Sequence, residues 1–182
     1  MGLLIMSKYG RYENEDAVEN VVRYITRTRP GENRKDELIA YGAMGVSAYA
    51  EPEIMIQQMK YVQNFYEIER KKGARIYHEF YRFDEREQSI LGNNIVYLQQ
   101  IALQCCNVYY ERGYQVIYAV HYDREKRLHI HFCVNAVSFV NGNKWHEYMN
   151  GLSQRQALFN SIVQKYMNVI EPIEWERGGL GK

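Results

Sequence analysis

The sequence predicts an α+β fold, an antiparallel β-sheet with helices packed on it. Residues 128–137 alternate strictly between apolar and other side chains, the period of a β-strand with one packed face. A second strand candidate, residues 115–121, precedes this stretch, and the charged connection between them favours an antiparallel hairpin. With the other candidates this gives at least four strands, and the helices between them do not follow a strict βαβ order.

The amino-terminal part of the chain predicts a strand followed by a helix. Residues 3–7 are a short apolar run typical of a strand. Asn14 is a candidate cap for the helix, since acidic residues follow it and valines recur at helical spacing. The helix is expected to end before Pro30, because the residue before a proline disfavours helical geometry. It carries Tyr24.

The central part predicts a helix, a strand and a long helix. Residues 39–46 precede them and contain two glycines, which leaves open an irregular strand or a mobile substrate loop. Helical spacing begins at Pro52, and Gly113 is well placed to end the long helix. The three elements are expected over residues 52–73, 75–83 and 92–112.

The carboxy-terminal part predicts a turn at Asn141–Gly142 and a final helix, for which Ser153 and Gln156 match a capping box. No internal repeat is visible. We expect residues 1–175 to form a single domain. The three glycines in residues 176–182 predict the start of a linker to a further carboxy-terminal region.

Three histidines on the predicted hairpin indicate metal chemistry. If His121 lies opposite His129, then His121, His129 and His131 project from one face, which we expect helices to leave uncovered. A single histidine on a strand is more often a surface or core residue, but three imidazoles together match a divalent-metal site with open coordination positions. A register slip of one residue would separate them.

Composition excludes several classes of protein. The net charge of +1 excludes a purely electrostatic nucleic-acid binder, so nucleic-acid binding needs a local basic patch. The 17 tyrosines suit base stacking or phosphate contacts, although most individual tyrosines are expected to be half-buried core residues. The densest group of basic residues comprises Arg23, Arg27, Arg29, Arg34 and Lys35.

The cysteines and the hydropathy pattern predict a soluble cytosolic protein. The three cysteines have no C-x-x-C spacing, which argues for a reducing compartment and against a disulfide scaffold or a structural zinc knuckle. An apolar run of about 18 residues is missing, as is a leader with a cleavage site, so no membrane insertion is expected.

The run H-x-D-x5-H-x-H-x3-N resembles the histidine motif of HUH endonucleases, specifically of conjugative relaxases. The segments VVRYITR, with Tyr24, and NAVSFVNGNKWH are similar to those of the MOBP group of mobilization relaxases. The strand RIYHEFYRFD is similar to the strand that faces the metal in that group, which points to His78. The resemblance covers residues 3–167, and its histidine motif comprises His121, Asp123, His129, His131 and Asn135.

This resemblance implies a relaxase fold with a ferredoxin-like palm and a bacterial cytoplasmic enzyme that nicks single-stranded DNA at an origin of transfer (oriT). The Tyr24 hydroxyl would attack a phosphodiester and form a 5′-phosphotyrosyl link, which conserves the ester energy. The three histidines would hold one divalent cation, Mn²⁺ or Mg²⁺. An accessory DNA-binding protein and a conjugative coupling or secretion apparatus are the implied partners.

The remaining candidate residues have supporting roles in this interpretation. Arg23 or Arg27 is expected to clamp flanking phosphates. Asp123 either fixes the tautomer of an imidazole or is a turn residue. Asn135 either orients substrate or closes the end of the sheet.

Two other functions stay open from the residues. A rolling-circle replication initiator or a single-strand transposase would use the same metal site with Tyr148 or Tyr166 as nucleophile. A metal-stabilised module that binds single-stranded nucleic acid without cleaving it is a further alternative. Without the resemblance, Tyr24 would not stand apart from its nearest substitutes, Tyr9, Tyr12 and Tyr41.

Overall fold

A computed structural model of the protein describes residues 1–68, 72–147 and 150–171, and describes residues 8–10 at the level of the backbone. The strands in this part of the chain are β1 (Leu3–Tyr12), β2 (Leu38–Met44), β3 (Ile76–Arg82), β4 (Tyr114–Tyr122) and β5 (Leu128–Ser138). The α-helices are α1 (Ala17–Ile25), α2 (Pro52–Phe65), α3 (Glu85–Leu91), α4 (Ile95–Tyr110) and α5 (Gly151–Ile170). Residues 176–182, where the linker is predicted, lie outside the described residues.

The five strands form one antiparallel sheet in the order β1-β3-β5-β4-β2. The predicted α+β fold is therefore confirmed. The hairpin of β4 and β5 is confirmed as well, with His121 opposite His129. On the other side of β5, β3 places Phe80 opposite His131 and Arg82 opposite His129. One end of the three central strands thus collects the histidines.

The larger hydrophobic core lies on the face of the sheet opposite the histidines. The alternating apolar residues of β5, among them Ile130 and Phe132, pack there against α4 and α5. On the same face of the sheet, Arg155 of α5 is fully buried and pairs with Glu79 of β3, with 2.5 Å between Nη2 and Oε1. Tyr109 of α4 also donates a hydrogen bond to Glu79 (2.6 Å). Loss of either partner would leave an uncompensated buried charge between α5 and the sheet, which is strongly destabilising.

The expectation that the histidine face is uncovered is wrong over much of its length. A second core lies on that face, where apolar residues of α1 and α2, such as Val22 and Met59, pack on Ile117 and Cys133. Both helices have one apolar side that must be buried, and the apolar half of the histidine face is the surface available to them. The end of the face that carries His129 remains open.

Several predicted boundaries are wrong because local capping differs from the expected pattern. Asp16, rather than Asn14, occupies the N-cap of α1, and the Asn14 amide donates to the Asp16 carboxylate. The predicted box at Ser153 and Gln156 lies inside α5, whose N-cap is Asn150 in the left-handed region (φ 70°). The structure instead forms a capping box with Asp84 and Glu87, which starts α3.

The remaining differences concern lengths. The long helix predicted from residue 92 starts at Ile95, where the Asn94 side chain accepts a hydrogen bond from the Tyr97 amide (3.0 Å). Helix α2 ends at Phe65, well before residue 73. Of the two interpretations of residues 39–46, the strand is confirmed as β2. Within the described ranges, no helix is both long and apolar enough to cross a membrane.

Candidate active site

The three histidines of the hairpin converge at the open end of the sheet. Each offers a ring nitrogen, and the three nitrogens lie within 4.8 Å of one another. The Nε2 atoms of His129 and His131 are 3.1 Å apart. The ring centroid of His121 is 4.7 Å from that of His131. The predicted meeting of His121, His129 and His131 on one face is confirmed.

Neighbouring carbonyls fix which ring nitrogens carry a lone pair. A carbonyl oxygen only accepts, so His129 donates from Nδ1 to the Arg127 carbonyl (3.1 Å) and keeps the lone pair on Nε2. His121 donates from Nε2 to the Ile25 carbonyl (2.5 Å) and keeps its lone pair on Nδ1. The orientation of two of the three rings is therefore set by hydrogen bonds to the backbone.

Burial keeps the histidines neutral. Desolvation, followed by the positive charge of Arg27, lowers the pKa of His121 from 6.5 to about 3. Desolvation also lowers the pKa of His129, and that of His131 lies well below the ordinary value. Neutral imidazoles are the form that binds metals, so at neutral pH these rings need not lose a proton first.

The donor set fits one divalent cation. Two nitrogens bonded at about 2.1 Å to the same ion are roughly 3.0–3.4 Å apart, the separation seen between His129 and His131. Three imidazoles leave further coordination positions for oxygen ligands. His121, His129 and His131 are the residues that would hold the ion.

Tyr24 lies beside this cluster. It is half-buried on α1, where Val21, Val22 and Ile25 face the second core and anchor the helix to the sheet. The centroid of its ring is 5.7 Å from that of His131, with the rings edge to face. Tyr24 and His131 line the same cleft, which has a volume of about 500 Å³.

The other candidate tyrosines are less well placed or lie outside the description. The ring of Tyr12 is 6.4 Å from His78, and Tyr41 packs against the second core on β2. Tyr166 is on the opposite side of the sheet, where its hydroxyl accepts a hydrogen bond from Gln104 (2.5 Å). Tyr148 and the side chain of Tyr9 are not among the described parts.

Guanidinium groups surround the Tyr24 ring. The Cζ atoms of Arg27 and Arg29 are each 4.9 Å from its centroid, and that of Arg34 is 5.9 Å away. These arginines belong to the basic group of the sequence, so much of that group lies at the cleft. An anion bound next to the Tyr24 hydroxyl would therefore meet several positive charges.

Arg27 links the nucleophile candidate to the histidine cluster. Its guanidinium is buried, and Nη2 lies 2.7 Å from Glu37 Oε2 and 3.2 Å from His121 Nδ1. The residue adopts a positive φ of 55°, which a non-glycine residue keeps only when its contacts compensate for the strain. A lone pair accepts one partner at a time, so a metal ion on His121 Nδ1 requires Arg27 to move off that nitrogen.

The structure does not bring Arg23 to the cleft. The Arg23 side chain pairs with Glu19 (3.1 Å) on its own helix and with Glu53 (2.7 Å) on α2. Its position favours a role in holding α1 against α2 over a contact with phosphate.

Of the two roles left open for Asp123 and for Asn135, the hydrogen bonds favour the structural one in each case, although Asp123 lines the cleft. The Asp123 carboxylate accepts from the Arg127 side chain and from the backbone amides of Glu125 and Arg127, which is the turn role. Asn135 is fully buried, and its amide bonds to Gln63 and to the Met59 carbonyl. Asn135 therefore ties α2 to the sheet.

His78 stands behind His131. Its Nε2 lies 2.9 Å from His131 Nδ1, a bond that directs His131 Nε2 towards His129. Desolvation, followed by Arg29 and His129, lowers the pKa of His78 to about 4. Within the described residues, His78 Nδ1 has no hydrogen-bond partner. We expect His78 to orient the metal ligand rather than to bind DNA.

Replacing His78 with glutamine is expected to weaken Mn²⁺ binding by about 10- to 100-fold, the usual cost of losing a group that orients a metal ligand. Titration calorimetry on the DNA-free protein measures this. His146→Ala, a change in an exposed histidine away from the cleft, is the matched control and should bind Mn²⁺ as the wild type does. Unchanged affinity in His78→Gln would contradict the orienting role.

The metal-free protein is expected to lose stability as the pH falls below about 6.5. In the unfolded chain the cluster histidines and His78 take up protons near that pH, whereas in the folded protein their lowered pKa values keep them neutral. The free energy of unfolding should therefore stay level above pH 7. Below it, the free energy of unfolding should fall by up to about 1.4 kcal/mol per pH unit per histidine.

Urea unfolding in a chelating buffer between pH 7.5 and 5 measures this pH dependence. His78→Gln removes one of the titrating groups and should reduce the slope. Equal stability of the wild type at both ends of the range would contradict the lowered pKa values.

Several cleft residues were not among the predicted site residues: Glu37, Phe80, Arg82, Arg124 and Arg127. The strand period offered a clue for Phe80 and Arg82, since they follow His78 on the same face of β3. Arg124 and Arg127 lie in the connection between the two histidine strands. The remaining residue, Glu37, has no comparable sequence pattern.

Comparison with known protein families gives a match. The profile described as "Relaxase: MobA/VirD2-like, nuclease domain" matches residues 24–167, more than half of the chain. The matched segment begins at Tyr24 and contains all three cluster histidines. A search among curated proteins finds no match.

Proposed function

Because the chain belongs to the MobA/VirD2-like relaxase nuclease-domain family, we propose that it is a site- and strand-specific DNA-nicking transesterase. It cleaves single-stranded DNA at an origin of transfer and keeps one end as a covalent 5′-phosphotyrosyl intermediate. The observation that supports this best is the edge-to-face contact of Tyr24 with His131, at 5.7 Å between ring centroids, in a cleft rimmed by arginines.

The proposed reaction is a transesterification at phosphorus. The Tyr24 hydroxyl oxygen forms a bond to phosphorus and loses its proton. The bond from phosphorus to the 3′ oxygen breaks, and that oxygen keeps the electron pair and leaves as a 3′-hydroxyl once protonated. The ester count is unchanged, so the released 3′-hydroxyl can reverse the step and rejoin the strand.

The residues of the cleft divide the remaining tasks. His121, His129 and His131 would hold a divalent cation, Mn²⁺ or Mg²⁺, which would polarise a non-bridging phosphate oxygen. Arg29 and Arg34, beside the Tyr24 ring, stabilise the charge that develops on the phosphate oxygens. Helix α1 positions the hydroxyl through its packing on the sheet.

The proposal extends to the biological setting. The protein would be an enzyme of the MOBP group that acts in the bacterial cytoplasm. Its reaction would initiate conjugative transfer or mobilization of a plasmid or an integrative element. A net charge of +1 supplies little long-range attraction to DNA. We therefore expect tight binding at oriT to need an accessory DNA-binding protein, and transfer to need a coupling and secretion apparatus.

Adduct formation tests this function. The protein is incubated with Mn²⁺ or Mg²⁺ and a pool of single-stranded oligonucleotides labelled at the 3′ end, the end that stays attached after cleavage. The expected result is a labelled band that survives denaturing electrophoresis and is abolished by a chelator. Binding of the pool without any adduct would instead favour the non-cleaving binding module.

A further inference from the structure

The cleft has two chemically different walls. On one wall the guanidinium groups have carboxylate partners, as in Arg27 with Glu37 (2.7 Å) and Arg127 with Asp123 (2.9 Å). Arg34 pairs with Glu32 and Arg124 with Glu37 in the same way. The opposite wall is formed by Ile5 of β1 and by Phe80 and Arg82 of β3.

Phe80 is an aromatic residue that belongs to neither hydrophobic core. It is half-buried on the histidine face, and neither hydrophobic core includes it. Its ring centroid lies 5.8 Å from that of His131 and 6.3 Å from that of His129. A large apolar side chain at the rim of a polar cleft, outside both cores, favours contact with a ligand.

Arg82 follows two residues later on the same face of the strand. Its side chain is exposed and lines the cleft, and within the described ranges it has no hydrogen bond or ion pair. The cleft arginines of the other wall are each partly neutralised by a carboxylate. Arg82 is therefore the more available cation for an incoming phosphate.

From this pairing we propose that Phe80 and Arg82 form a nucleotide subsite next to the scissile phosphate. The Phe80 ring stacks on one nucleobase, and the Arg82 guanidinium contacts a phosphate of the same stretch of strand. An aromatic face combined with an unpaired cation is the arrangement by which proteins hold single strands. Because stacking tolerates any base, this subsite positions the strand rather than reading its sequence. The inference rests on the proposed function, since it takes the histidine cluster to hold the scissile phosphate.

Binding measured without metal tests the subsite independently of cleavage. The probe is a single-stranded 30-mer selected from a randomised pool by binding to metal-free wild-type protein, and the readout is fluorescence anisotropy in a chelating buffer. Phe80→Ala should weaken binding by roughly 5- to 150-fold, the range for loss of one stacked base, and Phe80→Trp should restore it. Phe80→Leu keeps an apolar side chain without a flat face and should bind as poorly as Phe80→Ala.

Abasic substitutions locate the stacked base. Each nucleotide of the probe is replaced in turn by an abasic one. One of these abasic probes should bind the wild type and Phe80→Ala with equal affinity. This is expected because the missing base and the Phe80 ring take part in the same interaction. Arg82→Gln should lower the slope of log affinity against log salt by about 0.7, the effect of losing one phosphate contact to a single strand. Circular dichroism confirms that each variant is folded.

The outcomes separate the subsite from the proposed function. The subsite would be overturned if the losses of affinity from Phe80→Ala and from an abasic site multiply at every position of the probe. An unchanged salt slope in Arg82→Gln would overturn it as well. Both results would count against the subsite even if the protein forms adducts. If one base is coupled to Phe80 in this experiment but no adduct forms under any metal condition, the proposed function would be overturned and the subsite would not be affected. A wild type that selects no 30-mer would overturn the subsite.

Discussion

Replacing Tyr24 with phenylalanine is expected to lower the rate of adduct formation and nicking by more than about 1,000-fold, because the attacking oxygen is removed while the ring is kept. The ring makes the edge contact with His131 and the contacts with the surrounding guanidinium groups. The fold and the affinity for single-stranded DNA should therefore change little. Denaturing electrophoresis with a 3′-labelled strand measures the adduct, and anisotropy measures binding.

Tyr41→Phe is the matched control for this change. Tyr41 is a partly buried tyrosine against the same core, on β2 rather than on the cleft wall, so its loss should leave the nicking rate unchanged. An adduct that persists in Tyr24→Phe would move the nucleophile elsewhere. That result would favour the rolling-circle or transposase alternative, with a tyrosine carboxy-terminal to the histidines.

Replacing His129 with alanine is expected to reduce Mn²⁺ affinity by more than about 100-fold, since removal of a ligand costs at least as much as removal of a group that orients one. Nicking should fall with it. His129 is half-buried at the open end of the face, and its hydrogen bond to the Arg127 carbonyl is exposed. The melting temperature of the metal-free protein should therefore change by only a few degrees.

His146→Ala again provides the control, because it removes an exposed imidazole from a loop that does not line the cleft. It should leave Mn²⁺ affinity and nicking as they are. A large drop in the melting temperature of His129→Ala, with Mn²⁺ affinity unchanged, would show that His129 is a packing residue and would remove the basis for the metal site.

The hairpin of β4 and β5 could be predicted from the sequence because alternation indicates both strands and a charged segment connects them. The register could only be assumed, and the structure confirms the assumed pairing of His121 with His129. The grouping of the three histidines was therefore accessible from the residues. The choice of Tyr24 was different in kind, since it depended on family resemblance and on no local pattern.

What the sequence did not reveal depends on how distant segments pack. Alternation shows which side chains share a face but not which helices cover it, so the packing of α1 and α2 on the histidine face was missed. The positive φ of Arg27 and its pairing with Glu37 depend on contacts between segments rather than on a local sequence pattern. The cap errors at Asn14 and Ser153 have a local origin, because several polar residues near each helix start can serve as the cap.

The central claim is that a phenol from α1 attacks a phosphate held at the three-histidine cluster. Tandem mass spectrometry of the protease-digested, Mn²⁺-dependent adduct tests it most directly, because it identifies the residue that carries the DNA. We expect the 5′-phosphate of the retained strand on Tyr24 and on no other residue. A phosphate attached to any other tyrosine, or the same adduct formed in full by a protein lacking His129, would contradict it.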